Sequence, residues 1–253
     1  MASEHTDKVV IITGGGRGFG KGTALAFGAA GAKVAIADLV RERAEKTAAE
    51  IVGAGGIALG VACDVRDERS VQAAIAEVVG AYDGVDVLAN IAGGYVTTFR
   101  SSHETPEDEW NLVVDSNLKG TFLCAKAVLP HMIRRGRGRI VNFSSNAGRT
   151  QSPVLGCAYT AAKAGVLGLT RHLAKEYAKH NILVNTIAPG PAKGERGDDL
   201  LTDAMKRDLI AQIPLGRMSE PRDLAGVVMF LASDAARFIT GATIDVNGGY
   251  VMV

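Results

Sequence analysis

Cysteine is scarce in this chain of 253 residues. Cys63, Cys124 and Cys157 show no C-x-x-C spacing, which argues against a disulfide framework, suits a reducing compartment, and leaves each as a small core or semi-buried residue. An excess of charge of one sign is missing too. Lys and Arg number 28 against 27 Asp and Glu, so no global field attracts nucleic acid or an anionic membrane, and a small-molecule partner is expected. No window of ~18 uninterrupted apolar residues occurs. The N-terminal "MASEHTDKVVIITGG" has no basic region followed by a long apolar run, so a cytoplasmic protein is expected. His5, His103, His131, His172 and His180 show no ligand spacing with acids or cysteines, and no metal is expected; His131 and His172 read as ordinary helix residues. No linker rich in proline, serine or charge divides the chain, so residues 1–253 read as a single domain. The one basic run, "RRGRGR" at 134–139, reads as a solvated surface turn.

What is present is a core's worth of apolar residues, 47% of the chain, arranged in alternation. Short apolar runs at 8–13, 33–38, 56–64, 85–90, 139–145, 182–190 and 243–249 are separated by helical patterns such as "RERAEKTAAEIV" at 41–52 and "ERSVQAAIAEVVG" at 68–80. Strands that are apolar throughout and alternate with helices build a parallel sheet covered on both faces. The expected fold is a single doubly wound α/β (Rossmann) domain with a seven-stranded parallel sheet. The more charged stretch 191–218, between the sixth and seventh strand patterns, reads as a lid over the strand ends, where ligands of such sheets bind.

Directly after the first strand, "TGGGRGFG" at 13–20 leads into a helix pattern. Glycines there, with Gly14, Gly18 and Gly20 as the spaced ones, permit a sharp bend and close approach to a pyrophosphate at a helix N-terminus. Asp38 closes the second strand pattern, where dinucleotide sites place an acid on the adenosine ribose, and it favours NAD over NADP. Arg17 and Arg41 pull the other way, because a guanidinium pairs with a 2′-phosphate. In "AYTAAKAGVLGLT" at 158–170, Tyr159 and Lys163 lie one helical turn apart on one face. A phenol normally titrates near ~10, and a fixed ammonium beside it favours the phenolate.

With "CDV" at 63–65, "NIAGG" at 90–94, "SNLKG" at 116–120, "NFSS" at 142–145 and "APG" at 188–190 in this order, the chain resembles the short-chain dehydrogenase/reductase family from about residue 7 to its end. The resemblance implies an NAD(P)-dependent oxidoreductase moving a hydride between a nicotinamide cofactor and a secondary alcohol or ketone. Tyr159 would be the general acid/base, Ser145 would polarise the substrate oxygen, Lys163 would serve both the phenol and the nicotinamide ribose, and Asn117 would hold a water linking Lys163 to solvent. Arg17, Phe19 and Leu39 would join the glycines and Asp38 around the cofactor. Asp64 and Val65 would meet the adenine, Asn90, Ala92 and Gly93 the neighbouring ribose, and Pro189, Gly190 and Ala192 the nicotinamide side. A homotetramer is also implied.

Three positions depart from the family pattern. Ile91 stands where a second asparagine is usual, with the neighbouring strand expected to compensate; Gly194 stands where Thr is frequent; and Ser145 lies fourteen residues before Tyr159, one more than is common, with Ser144 adjacent. The substrate pocket would be walled by Tyr95, Asn146, Gln151, Pro153, Val154, Leu155 and Pro191, which suits a medium-sized, alicyclic secondary alcohol or ketone. Arg149, Lys193 and Arg196 would instead greet an acidic or coenzyme A substrate. NAD is the expected cofactor, in the direction of alcohol oxidation. The alternatives are an NADPH-dependent 3-ketoacyl or ketone reductase and a non-catalytic dinucleotide-binding protein.

Overall fold

A computed structural model describes residues 2–96, 101–152, 154–193 and 201–253. The seven apolar runs become seven strands: β1 (Val9–Thr13), β2 (Lys33–Asp38), β3 (Ile57–Ala62), β4 (Val87–Asn90), β5 (Gly138–Phe143), β6 (Ile182–Pro189) and β7 (Thr243–Val246). They form one sheet in the order β3-β2-β1-β4-β5-β6-β7, and every neighbouring pair is parallel. This is the doubly wound sheet that the alternation implied. Strand order reverses between β1 and β4, which opens a crevice at their carboxyl ends.

The connecting helices are α1 (Gly18–Ala29), α2 (Arg41–Gly53), α3 (Glu68–Tyr82), α4 (Glu107–Val114), α5 (Gly120–Arg135), the single turn α6 (Asn146–Arg149), α7 (Gly156–Tyr177), α8 (Asp203–Ala211) and α9 (Pro221–Leu231). Because side chains alternate along a strand, the sheet feeds two core layers. Val9 and Ile11 pack on one face with Val78 of α3, Val128 and Met132 of α5 and Leu173 of α7. Val10 and Ile12 pack on the other with Phe27 of α1, Ile51 of α2 and Leu224 and Val228 of α9. Each fully buried side chain of this size contributes about 1.5–3 kcal/mol.

The basic run departs from the expected solvated turn. Arg135 and Arg137 pair with the buried Asp86 at 3.1 and 3.2 Å, and Asp86 also accepts from the Val9 N–H at 3.0 Å, which pins the start of β1. Arg139 is largely buried and reaches Asp234 at 3.4 Å. The run thus closes the end of the sheet remote from the crevice. Cys63 and Cys124 are buried and Cys157 half-buried. Among the described residues no helix is long and apolar enough to cross a membrane.

Candidate active site

At the crevice, the Thr13 Oγ1 accepts from the Ile91 and Ala92 N–H groups at 3.1 and 3.0 Å and ties the end of β1 to the end of β4. Gly14 follows with a left-handed φ of 65°, and a Cβ there would stand 2.9 Å from the Ala92 Cα. A Cβ on Gly20 would collide with the Gly14 carbonyl, so the helix start lies directly on the turn. Gly18 faces open space, and Arg17, at the N-cap of α1, makes no side-chain cap. The first N–H groups of α1 are left available to an anion, and the turn fits a pyrophosphate.

Asp38 ends β2 nearly buried; its Oδ2 accepts from Gly16 N–H at 3.0 Å and its Oδ1 from Val40 N–H at 3.1 Å. The carboxylate therefore stands against the glycine turn, with Leu39, 62% exposed, beside it. Arg41 is not directed here: its guanidinium pairs with Glu45 at 3.6 Å and Glu77 at 3.5 Å, toward α3. Arg43 was not anticipated, yet its Cβ and the Asp38 carboxylate flank Gly16 together. Only the first turn of α2, folded back on the glycine turn, reveals it. Asp64 is gripped by the fork of Arg66, with its shortest contact at 2.7 Å, and that guanidinium holds its carboxyl below the ordinary range. Val65 packs against Gly120.

Asn90, at the end of β4, donates to the Asn142 Oδ1 at 2.9 Å, Asn142 donates to Thr170 Oγ1 at 2.9 Å, and Thr170 meets Thr186 at 2.5 Å. This buried chain joins β4, β5, α7 and β6, and Asn142 supplies Asn90 with a side-chain partner from the neighbouring strand. Asn117 lies in a π-helical turn, Asp115–Lys119, that separates α4 from α5. Its Nδ2 donates to the carbonyls of Gly94 at 2.5 Å and Val113 at 2.8 Å, while its buried Oδ1 faces Gly93 and has no hydrogen-bond partner among the described residues.

Lys163 lies close by. It is buried in α7, donates to the Phe143 carbonyl at 2.8 Å, and sits 5.6 Å from the centre of the Tyr159 ring. Burial pushes its ammonium down to about 8. Tyr95 meets the Tyr159 ring edge-on at 6.0 Å. Of the two adjacent serines, Ser144 donates to the Lys163 carbonyl at 2.7 Å and is committed to packing β5 against α7. Ser145 caps α6, its Oγ accepting from Ala147 N–H at 3.1 Å. Pro189 ends β6, Gly190 packs without room for a Cβ against Asn247, and Ala192 bridges to Ser219.

Around this centre Tyr95, Asn146, Val154, Leu155 and Pro191 are half-buried, whereas Gln151 is exposed. Phe19 packs against the core layer of α1 and α9. Pro153, Gly194 and Arg196 lie outside the described residues. Arg149 does not greet a substrate: it pairs with Asp245 of β7 at 3.0 Å and donates to the Val253 carbonyl at 3.3 Å. Lys193 is paired with Glu220 at 3.1 Å. Both charges are spent on holding loops.

A parallel sheet with a glycine turn at its switch point, an acid at the end of β2 and a buried lysine one turn from a tyrosine defines a dinucleotide-binding oxidoreductase. Residues 14–251 match the family model described as enoyl-(acyl carrier protein) reductase. The chain is 41% identical over 247 residues to the 3-oxoacyl-[acyl-carrier-protein] reductase FabG of Staphylococcus aureus, covering 97% of this chain and 98% of that one. It is 37% identical to the (2S)-[(R)-hydroxy(phenyl)methyl]succinyl-CoA dehydrogenase subunit BbsD of Thauera aromatica, over 96% of each chain. The crystal structure of gox2181 superposes with a TM-score of 0.94 at 34% identity, over 99% of both chains. The chain belongs to the short-chain dehydrogenase/reductase family, and it is an NAD(P)-dependent oxidoreductase acting on CH–OH and ketone groups.

Proposed function

We propose that the protein is an NAD-dependent dehydrogenase of a medium-sized secondary alcohol, with Tyr159 as general acid/base. The observation that carries the cofactor choice is Asp38, whose carboxylate stands 3.0 Å from the Gly16 nitrogen, on the turn that would hold the adenosine half. A negative charge there repels a 2′-phosphate and accepts from ribose hydroxyls. Gly14, Gly18 and Gly20 would carry the pyrophosphate. Leu39, Asp64 and Val65 would frame the adenine, with Arg17 at the mouth; Asn90, Ala92 and Gly93 would lie along the neighbouring ribose, and Pro189, Gly190 and Ala192 along the nicotinamide. When bound, the nicotinamide takes up the hydride.

The protein's own part is proton handling and positioning. Ser145, its Oγ fixed by the Ala147 N–H, holds the substrate oxygen, and the Tyr159 phenolate takes its proton and becomes the phenol. The Lys163 ammonium, 5.6 Å from the ring centre, stabilises the phenolate that this requires. The orphaned Oδ1 of Asn117, against Gly93 and near Lys163, suits a water that passes the proton outward. Residues 191–218, of which 194–200 lie outside the described residues, would act as the lid; the described chain on either side is joined by the Ala192–Ser219 bridge and the Lys193–Glu220 pair. A single catalytic domain, a cytoplasmic location and a homotetramer complete the reading.

A second reading, an NADPH-dependent 3-ketoacyl or ketone reductase, is favoured by the 41% identity to a 3-oxoacyl-[acyl-carrier-protein] reductase and by Arg17 and Arg43 near the same pocket. The test is the rate of NAD⁺ reduction with cyclohexanol, 1-phenylethanol and 2-octanol, set against NADPH oxidation with cyclohexanone and ethyl acetoacetate. Faster turnover in the first set is expected, with Tyr159→Phe slower by a factor on the order of 10² to 10⁴. NADPH oxidation as the dominant rate establishes the second reading, and an unimpaired Tyr159→Phe removes the assigned base.

A further inference from the structure

Ser145 occupies the N-cap of α6 with an extended backbone, φ −166° and ψ 160°, and the Ala147 N–H donates to its Oγ. This bond fixes the oxygen and leaves the hydroxyl proton one freedom, rotation about Cβ–Oγ. That proton has a protein acceptor: Ser145 Oγ donates to the Asn146 Oδ1 at 3.1 Å. Asn146 is in turn held by its backbone, since its carbonyl accepts from the Thr150 N–H at 3.0 Å and the Thr150 hydroxyl at 3.1 Å. Ser144 cannot take over, because its hydroxyl is bonded to the Lys163 carbonyl.

We propose that Asn146 is a positioning residue for the reaction: its side-chain carbonyl holds the Ser145 hydroxyl proton in the resting site and yields it to the substrate oxygen. The inference rests on the assignment of Ser145 above and deepens it. A neutral amide oxygen is an acceptor of ordinary strength. The substrate oxygen gains negative charge as its proton leaves for Tyr159, and a charged acceptor draws a shorter and stronger bond. The hydroxyl therefore passes from Asn146 to substrate as charge develops, so the new bond is strongest in the transition state, where it accelerates the reaction. Alanine at 146 would leave the hydroxyl undirected. Aspartate would grip it too tightly and place a negative charge beside the site.

The experiment compares kcat, KM and pH profiles of the full-length enzyme and of N146A, N146D, S145A and the S145A/N146A pair. The probe is whichever of the five named compounds the parent turns over fastest, with NADH affinity by fluorescence as a control for folding. N146A is expected to lose about tenfold in kcat with NADH affinity unchanged. N146D, which keeps the shape, is expected to be slowed and to move up by about one pH unit the limb that reports Tyr159, the acid limb with an alcohol and the alkaline limb with a ketone, because the added charge opposes ionisation of Tyr159. The double variant is expected to be no slower than S145A, since Asn146 acts through that hydroxyl. Losses that multiply in the double variant, or an N146A enzyme at parental kcat, overturn the proposal. An S145A enzyme at parental rate removes the underlying assignment of Ser145 and the proposal with it, an outcome distinct from the other two.

Discussion

Lys163 is a charge buried in α7, and its ordinary value of 10.5 falls to about 8 because burial disfavours the ammonium. Below pH 8 the folded protein carries that ammonium at a cost of about 3 kcal/mol relative to the unfolded chain. Between about 8 and 10.5 the unfolded chain binds more protons than the folded one, so this residue's contribution to stability rises with pH. Lys163→Met strands the Phe143 carbonyl, at about 1 kcal/mol or more, but removes the pH-dependent part. Thermal unfolding at pH 7 and pH 10 is expected to show the variant gaining on the parent at the lower pH and losing that gain at the higher, with turnover abolished at both. A difference independent of pH would mean that the buried ammonium is not the source. Asp38 makes the companion case. Asp38→Ser removes a negative charge whose repulsion of a phosphate at ~4 Å is worth up to about 4 kcal/mol near a surface. The ratio of kcat/KM with NADP⁺ to that with NAD⁺ is expected to rise at least tenfold, and an unchanged ratio would place cofactor discrimination elsewhere. The pairing of Tyr159 with Lys163 was legible in the sequence because four residues make one helical turn. The partners of Arg41 and Arg149 were not: Glu77 and Asp245 are remote in the chain, and only the fold brings those carboxylates to the guanidinium.

The strands were the most legible elements, since a buried parallel strand must be apolar on both faces; their ends moved by one to three residues where the chain turns away, as at Cys63 and Asp64 after β3. The π-helical turn at Asp115–Lys119 carried no such mark. One extra residue in a helical turn changes no hydrophobic period, yet it breaks the run from α4 to α5 at Asn117. The N-terminal 3-10 turn, Ala2–His5, was equally silent, because its value lies in one residue: His5 is fully buried, edge-on to Phe27 at 5.0 Å. Burial pushes the imidazole below its ordinary 6.5, the nearby Lys8 adds to this, and Glu4 opposes it. As pH falls through 6.5 the unfolded chain takes up a proton that the folded chain refuses, and stability is lost in that direction. His5→Phe keeps an aromatic ring on Phe27 and removes the proton. Its unfolding temperature is expected to fall less between pH 7 and pH 5 than the parent's; parallel curves would show that the acid sensitivity arises in other groups.

At the scale of the whole molecule, the two core layers leave several large apolar side chains at the surface. Trp110 of α4 is 39% exposed, Phe122 of α5 43%, Phe238 101% and Met252 77%. Scattered exposed apolar residues are normal in any protein, but aromatic ones are enriched in the buried centres of interfaces. The α4–α5 pair and the C-terminal stretch beyond α9 are therefore the surfaces on which the proposed homotetramer would assemble. None of these four side chains is among those assigned to the cofactor or the chemistry, so assembly and turnover are expected to be separable by mutation. Sedimentation of the parent is expected to give a species of about 105 kDa, four times the 26.3 kDa chain. Phe122→Asp and Phe238→Asp each place a charge where an apolar contact would be desolvated, at a cost of several kcal/mol per buried charge, and each is expected to yield smaller species. Because the interface repeats by symmetry, one substitution is felt in every subunit. A parent that sediments at the mass of a single chain, with both variants unchanged, would remove the tetramer and leave these side chains as ordinary surface.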